Sequence, residues 1–492
     1  MNAHSISILP DELLLEVFKE CVASTAEDYL RTKDSSTGEV YTKALVISSV
    51  DRRWRSISIH APVLWARIFI AFSTCLQFSV PSSTVHSSVE AIVTLYLERS
   101  RGHPLDVCLW SPLPSATDYF DAPTLPEDED KPLPPVALLL LQESHRWRAA
   151  LLELPFWNVN EPLTFPSLEE LDARCTFGIE SPHHLPLIRA PHLRKLKTKL
   201  LQDQNTEGFY TTLNLECGSL DKITLDCVTP EVAAQFLRRA SAVCRASVNT
   251  LFESLDSTDV VSPVKALSIT TVTDTGYGED DPGCFLSYLT LPDLEELEFI
   301  VDESSEGSPQ FPVDELMSLL RNRSESCSTK LTRLHMKRHC ISETDILGVL
   351  ELLPGLTEFV FEEPKSGDNV SPTEKFIKRL TGQSPTTLLP NISRVELILQ
   401  SLSPSLVDTL LDFLESRRPQ SRNGSIQNVT SLAVLEQAKI TIRQTLTLQQ
   451  GSPFLERIQE LRVGGLALDI ERLGSLPSIT RTEYNNDGCR SM

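Results

Sequence analysis

No stretch of this chain is apolar enough to span a bilayer: about 18 consecutive apolar residues are needed, and the longest greasy run is VALLLL at 136–141. The first residues, MNAHSISILPDE, lack the basic and continuous apolar regions of a secretory leader. The eleven cysteines fall singly, without a CxxC pair or the density of a disulfide scaffold, so reduced and mostly core thiols are expected. Without a leader, the N-x-S/T sequons at Asn322, Asn391, Asn423 and Asn428 predict no glycan. Cytoplasm or nucleus is the expected compartment. Positive charge is scarce as well: Lys and Arg total 45 against 67 Asp and Glu, a formal charge of −22. A polyanion meets net repulsion from such a chain, so nucleic acid is not an expected partner, and without a spanning segment neither is a membrane.

Catalytic signatures are also missing. There is no GxxxxGK[ST] phosphate loop, no GxSxG nucleophile elbow and no HExxH helix. The nearest thing to a metal grouping is HMKRHC at 335–340, where His335, His339 and Cys340 would need a helix to converge. LTRLHMK reads as a strand instead, on which positions 335 and 339 share a face about 13 Å apart at roughly 3.3 Å per residue. His183 and His184 stand between prolines in an expected loop. The segment DTGYGEDDPG at 274–283 gathers Asp274, Glu279, Asp280 and Asp281, yet lacks the ligand order and closing Glu of an EF-hand. No catalytic residue, cofactor or metal is expected; a hydrolase or transferase would need a polar constellation that the sequence does not announce.

What is present begins with ILPDELLLEVFKECV at 8–22. Pro10 suits a first helical position, with Asp11 and Glu12 next to the positive end of the helix dipole. Leu13 and Val17, and Leu14 and Phe18, are i, i+4 pairs that with Leu15 make one broad apolar face. A polar loop is expected at 27–39, and then a second helix, because Leu45, Val46, Ser49, Val50, Arg53, Trp54 and Ile57 keep helical spacing. Pro62 breaks that pattern, and a short helical turn at 63–65 leads into a strand at 67–72.

Beyond residue 90 a phrase recurs: FPSLEELDARC at 165–175, APHLRKLKTKL at 190–200, LPDLEELEFIV at 291–301 and CSTKLTRLHMK at 327–337. Its form is L-x-x-L-x-apolar, with weaker copies at 218–228, 262–272, 353–363, 389–399, 428–438 and 457–467. Alternate residues to one side make each copy a strand. Leu168 to Leu193 is 25 residues, Leu193 to Leu220 is 27, and Leu331 to Leu356 is 25. Helical stretches are expected between copies, at 230–244, 312–323, 342–353, 373–380 and 404–417. Helix and strand are also expected at 90–112 and at 134–155, around an acidic, Pro-rich loop at 122–135.

Two resemblances follow from these residues. Leu9-Pro10, Leu13-Leu14, Val17-Phe18, Val50, the RRWR at 52–55 and the LW at 64–65 resemble the F-box, over about 60 residues. The long spacer around 24–42 and the strand that follows resemble F-box-like proteins of mushroom-forming fungi, while Asp51 departs from the family pattern. The repeated phrase resembles leucine-rich repeats, whose 20–29-residue period it shares, although the consensus Asn is mostly missing. The expected fold is therefore α/β: a small N-terminal helical F-box followed by an irregular leucine-rich-repeat solenoid with a parallel sheet, or else a looser α/β layer fold. The expected domains are 1–75 (helical), 76–135 (connecting), 136–480 (repeats) and 481–492 (a tail).

The F-box resemblance implies a substrate-recognition subunit of an SCF-type cullin-RING ubiquitin ligase, non-catalytic itself. Leu9, Pro10, Leu13, Leu14, Val17 and Phe18 match the part that contacts the adaptor protein, and the cullin is reached through that adaptor. Leu45, Val50, Leu64 and Trp65 match the part that holds the helices together, and Trp54 fits either role. An unknown target protein would be held by the repeats, with basic segments favoured by the acidity of the chain. The alternative is a leucine-rich scaffold without a ubiquitin connection, whose first helices merely cap the stack.

Overall fold

A computed structural model of the chain describes residues 8–23, 42–71, 83–110, 135–153, 162–175, 187–200, 215–228, 230–251, 260–271, 285–287, 289–302, 309–323, 330–364, 374–381, 388–401, 403–417, 433–443, 453–463 and 466–472. The fold is α/β with fourteen principal strands, all parallel, seven in each of two compact units. One unit is 1–257 with 262–264, and the other is 258–261 with 265–492. The boundary expected near residue 75 falls inside the first unit. Among the described residues no helix is long and apolar enough to cross a membrane.

The first unit opens with helices α1 (Asp11–Val22), α2 (Lys43–Val50) and α3 (Arg52–Ile59) and a 3-10 turn, Pro62–Trp65. Pro10 stands at the N-cap of α1, one residue ahead of the expected position. The single second helix expected over 45–57 is two helices. Asp51 between them is extended, with φ −153° and ψ −178°, and its carboxylate accepts the Trp54 amide at 2.7 Å, so the family-departing residue is a helix cap.

Seven strands follow and pair in chain order: β1 (Arg67–Ala71), β2 (Leu105–Trp110), β3 (Trp147–Glu153), β4 (Glu170–Cys175), β5 (Lys195–Leu200), β6 (Leu220–Val228) and β7 (Ala240–Leu251). Helix α4 (Ser83–Ser100) joins β1 to β2 through a tight turn in which Arg101 and Gly102 have φ of 45° and 78°. Helix α5 (Pro135–Gln142) precedes β3, and α6 (Pro230–Leu237) lies between β6 and β7. The longer helix expected at 230–244 stops at Leu237. From Cys244 to Asn249 buried and accessible residues alternate, as strand β7 requires.

The second unit has β8 (Ala266–Thr271), β9 (Glu296–Val301), β10 (Arg333–Lys337), β11 (Glu358–Glu362), β12 (Arg394–Leu399), β13 (Gln437–Ile442) and β14 (Ala467–Arg472), again paired in chain order. Helices α7 (Val313–Ser318), α8 (Glu343–Glu351), α9 (Glu374–Leu380), α10 (Pro404–Ser416) and α11 (Pro453–Val463) stand between successive strands from β9 onward. The copy expected as a strand at 457–467 is mostly α11, and its strand, β14, begins only at Ala467.

The repeated phrase explains the core. Its first leucine closes a turn just before the strand: Leu168, Leu294, Leu331 and Leu356 are fully buried. Its second enters the sheet in register with its neighbours, so that Leu297, Leu334, Phe359 and Val395 form one buried row, with Phe299, Met336, Phe361 and Leu397 as the next. The residue between those leucines donates its amide to the equivalent position of the preceding strand, Glu295 to Lys265, Thr332 to Glu295, Thr357 to Thr332 and Ser393 to Thr357, each at 2.8–2.9 Å. The ladder thus starts upstream of the strands, leaving fewer buried backbone groups unpaired.

A buried cation ties the second unit's helices together. Arg417, directly after α10, is 1% exposed, and its guanidinium donates to the carbonyls of Leu380 at 3.0 Å, Leu388 at 3.1 Å and Pro390 at 3.3 Å. Burial lowers its pKa to about 10.

Candidate partner-docking surfaces

Apolar side chains left in water concentrate on the opening helices. Among the described residues ten large hydrophobics are exposed, and five of them, Ile8, Leu13, Val17, Val46 and Val50, lie within the first 50 positions, at 46–80% exposure. Leu13 and Val17 are one turn apart on α1, Val46 and Val50 one turn apart on α2, and the two helices touch.

The inward side of α1 is a different set. Leu14 and Phe18 are 0% and 1% exposed, and the Phe18 ring meets Trp54 with centroids 4.7 Å apart. The broad apolar face expected for α1 is therefore two faces, because Leu13/Val17 and Leu14/Phe18 are rotated by one residue, about 100°, from each other. Of the residues expected to contact an adaptor, Pro10, Leu13 and Val17 are exposed and Leu9 is half-buried, whereas Leu14 and Phe18 offer no surface. Of those expected to pack the helices, Leu64 and Trp65 are fully buried and Leu45 and Trp54 partly so. Val50 is the exception, standing 56% exposed one turn from Val46, off the side of α2 that buries Ala44, Ile47 and Ser48.

The outward face is mounted on fixed contacts. Arg53 donates to the Asp11 carboxylate at 2.7 Å and to the Leu9 carbonyl at 2.5 Å, clamping α3 to the start of α1. Arg67, the first residue of β1, donates to the Val22 carbonyl at the end of α1 at 2.8 Å. Trp65 donates its indole N–H to Ser58 at 2.7 Å, meets Tyr96 of α4 edge-on at 5.0 Å and lies 4.3 Å beneath the Arg99 guanidinium. A partner would find this face already in place, with little ordering cost. The sequence reading missed Ile8, Arg53 and the outward role of Val46; the Val46/Val50 spacing was the available signal.

The second candidate surface is the side of each unit's strands turned away from the leucine rows. In the second unit it is a charge ladder in which Glu296, Arg333, Glu358 and Arg394 alternate in register across four strands. His335 sits among its carboxylates, with Nδ1 3.5 Å from Glu298 and Nε2 3.2 Å from Glu358. Desolvation, the largest single influence on His335, opposes its charge, but Glu298 and Glu358 together outweigh it and raise the pKa. The hydrogen bond from His335 in turn, with help from Lys337, holds Glu298 down to about 2. At the strand ends Glu362, 4% exposed, is bound by both Arg338, at 2.6 Å, and Arg443.

His339 does not share the face of His335, contrary to the sequence expectation. The strand ends at Lys337, and Arg338, with φ 68°, turns the chain over. His339 is consequently buried on the apolar side, edge-on to Phe311 at 5.5 Å and Phe299 at 6.2 Å. Neither of its ring nitrogens has a hydrogen-bond partner among the described residues, and burial lowers its pKa to about 4. The segments 122–134, 274–283 and 481–492, together with His183 and His184, lie outside the described residues. No protein-family model matches the chain, and no curated protein matches it.

Proposed function

We propose that this chain is a non-catalytic substrate receptor of an SCF-type cullin-RING ubiquitin ligase. Its opening helices dock the adaptor in the manner of an F-box, the cullin is reached through the adaptor, and the strand faces hold a target protein. The observation that carries this reading is the pair of outward apolar stripes, Leu13/Val17 and Val46/Val50, on helices whose inward residues are already used. Parallel strands paired in chain order, with a buried leucine ahead of several of them, support an irregular leucine-rich-repeat array as the target-binding part. Such a subunit works by proximity, raising the effective concentration of the target at the ligase.

A second reading has one observation in its favour. The helices lead directly into β1, the first strand of the sheet order, where a cap would sit. Co-purification with the adaptor separates the two. Receptor function predicts a complex with the wild-type chain that is lost on Leu9→Ala/Pro10→Ala, and no complex with the wild type would leave a leucine-rich scaffold with a helical cap.

A further inference from the structure

The open face of the first unit carries a charge pattern unlike that of the second. Across β5, β6 and β7, Lys195, Lys222 and Arg245 stand side by side in register, one cation per strand, at the roughly 4.8 Å spacing of neighbouring strands. All three are exposed. Like charges directly opposite one another destabilise a sheet, and the second unit avoids this by alternating sign.

Local carboxylates neutralise only the near end of the row. Glu170 on β4 reaches Lys195 at 2.5 Å, and Asp172 lies 3.8 Å from Lys197. Asp226 stands opposite Lys199 in register but takes a hydrogen bond from Asn249 instead. Among the described residues Lys199, Lys222 and Arg245 have no carboxylate partner. In a chain of net charge −22, three cations without such a partner on adjoining strands stand out against the prevailing charge.

We propose that this row is a docking site for an acidic peptide segment of a partner protein. Identifying that partner as the target rests on the receptor reading above; the site itself does not. An extended acidic segment suits the geometry, because alternate side chains of a strand repeat about every 6.6 Å, a step that long Lys and Arg side chains rooted about 4.8 Å apart on neighbouring strands can reach. Duplex nucleic acid suits it poorly. The row spans only about 10 Å across the strands, is flanked by Glu170 and Asp172, and belongs to a strongly acidic chain that would repel the remainder of a long polyanion.

The test titrates the full chain into a labelled twelve-residue peptide of alternating Glu and Ser, beside a Gln-for-Glu control and a twelve-nucleotide single strand, by fluorescence anisotropy. Expected are binding of the Glu peptide that weakens as salt rises, none of the control, and about tenfold weaker binding to Lys222→Gln/Arg245→Gln, in line with losing two modest ion pairs. The variant should melt no lower than wild type, since it relieves repulsion. Equal binding of both peptides, undiminished binding by the variant, a lower melting temperature, or preference for the nucleotide strand would each overturn the proposal. A chain with Leu13→Glu/Val17→Glu keeps peptide binding, so failure of the adaptor assay and failure of this one are told apart.

Discussion

Under the proposed receptor function, replacing Leu13 and Val17 together by alanine measures how much of an adaptor contact α1 would supply. Full burial of a Leu or Val side chain is worth about 1.5–3 kcal/mol relative to leaving it in water. These two are 52% and 46% exposed, so roughly half of that remains to be gained on docking. Each truncation then removes about 1 kcal/mol and the pair about 2 kcal/mol, a Kd raised roughly 30-fold. Isothermal titration of the purified adaptor reads this directly, and because the lost contact is apolar the effect should survive a change of salt. Leu14→Ala is the internal control: fully buried, it should cost about 2–5 kcal/mol of folding stability and lower the melting temperature. The reasoning fails if the double variant binds within threefold of wild type, or if it melts as low as Leu14→Ala, for then those side chains are packed and not offered.

Arg417→Met keeps the apolar stem but strands the carbonyls of Leu380, Leu388 and Pro390, and should lower stability to urea by about 3 kcal/mol; a loss below about 1 kcal/mol would mean water serves those carbonyls as well. His339 supplies a pH dependence of definite sign. Its folded pKa, about 4, lies below the unfolded 6.5, so the unfolded chain binds the proton first and stability falls as pH drops from about 6.5 toward 4. At about 1.4 kcal/mol per pH unit the loss is capped near 3 kcal/mol. His339→Leu should flatten urea midpoints over that range, and an unchanged slope would refute the assignment. Asp51→Ala removes the cap of α3 at a cost of about 1 kcal/mol, seen as faster amide exchange at Trp54, while Asp51→Asn keeps most of the protection.

The strands were legible where the leucine phrase is strongest, and not at 457–467, where RIQELRV carries the same apolar spacing on a helix. LEELDARC, LRKLKTK, LEELEFIV and LTRLHMK each place one apolar residue in the turn and others on one side of the strand, and β4, β5, β9 and β10 are where that pattern puts them. Strand β7 was not legible, because ASAVCRASVN offers Cys, Ala and Val where leucine is expected and follows a real helix without a Gly or Pro to separate the two. That omission is why the interval from Leu220 to Ala266 looks too long for one repeat. The charge rows were invisible for a different reason: Lys195, Lys222 and Arg245 are separated by 27 and 23 residues, and only the strand register makes them neighbours.

At the opening helix the residue types were legible and their directions were not, since five apolar residues within six positions from Leu13 to Phe18 leave the rotation of α1 open. The rotation matters for choosing between a cap and a dock. A cap needs the inward set, and Leu14, Phe18 and Trp65 already fill it. It has no use for Leu13, Val17, Val46 and Val50, which could be charged without loss to the helices' own packing and would then protect the chain against association through an exposed apolar patch. The proposed dock gives all four a use, since apolar side chains at these positions gain stability when a second polypeptide covers them, and that is the support it has over the cap.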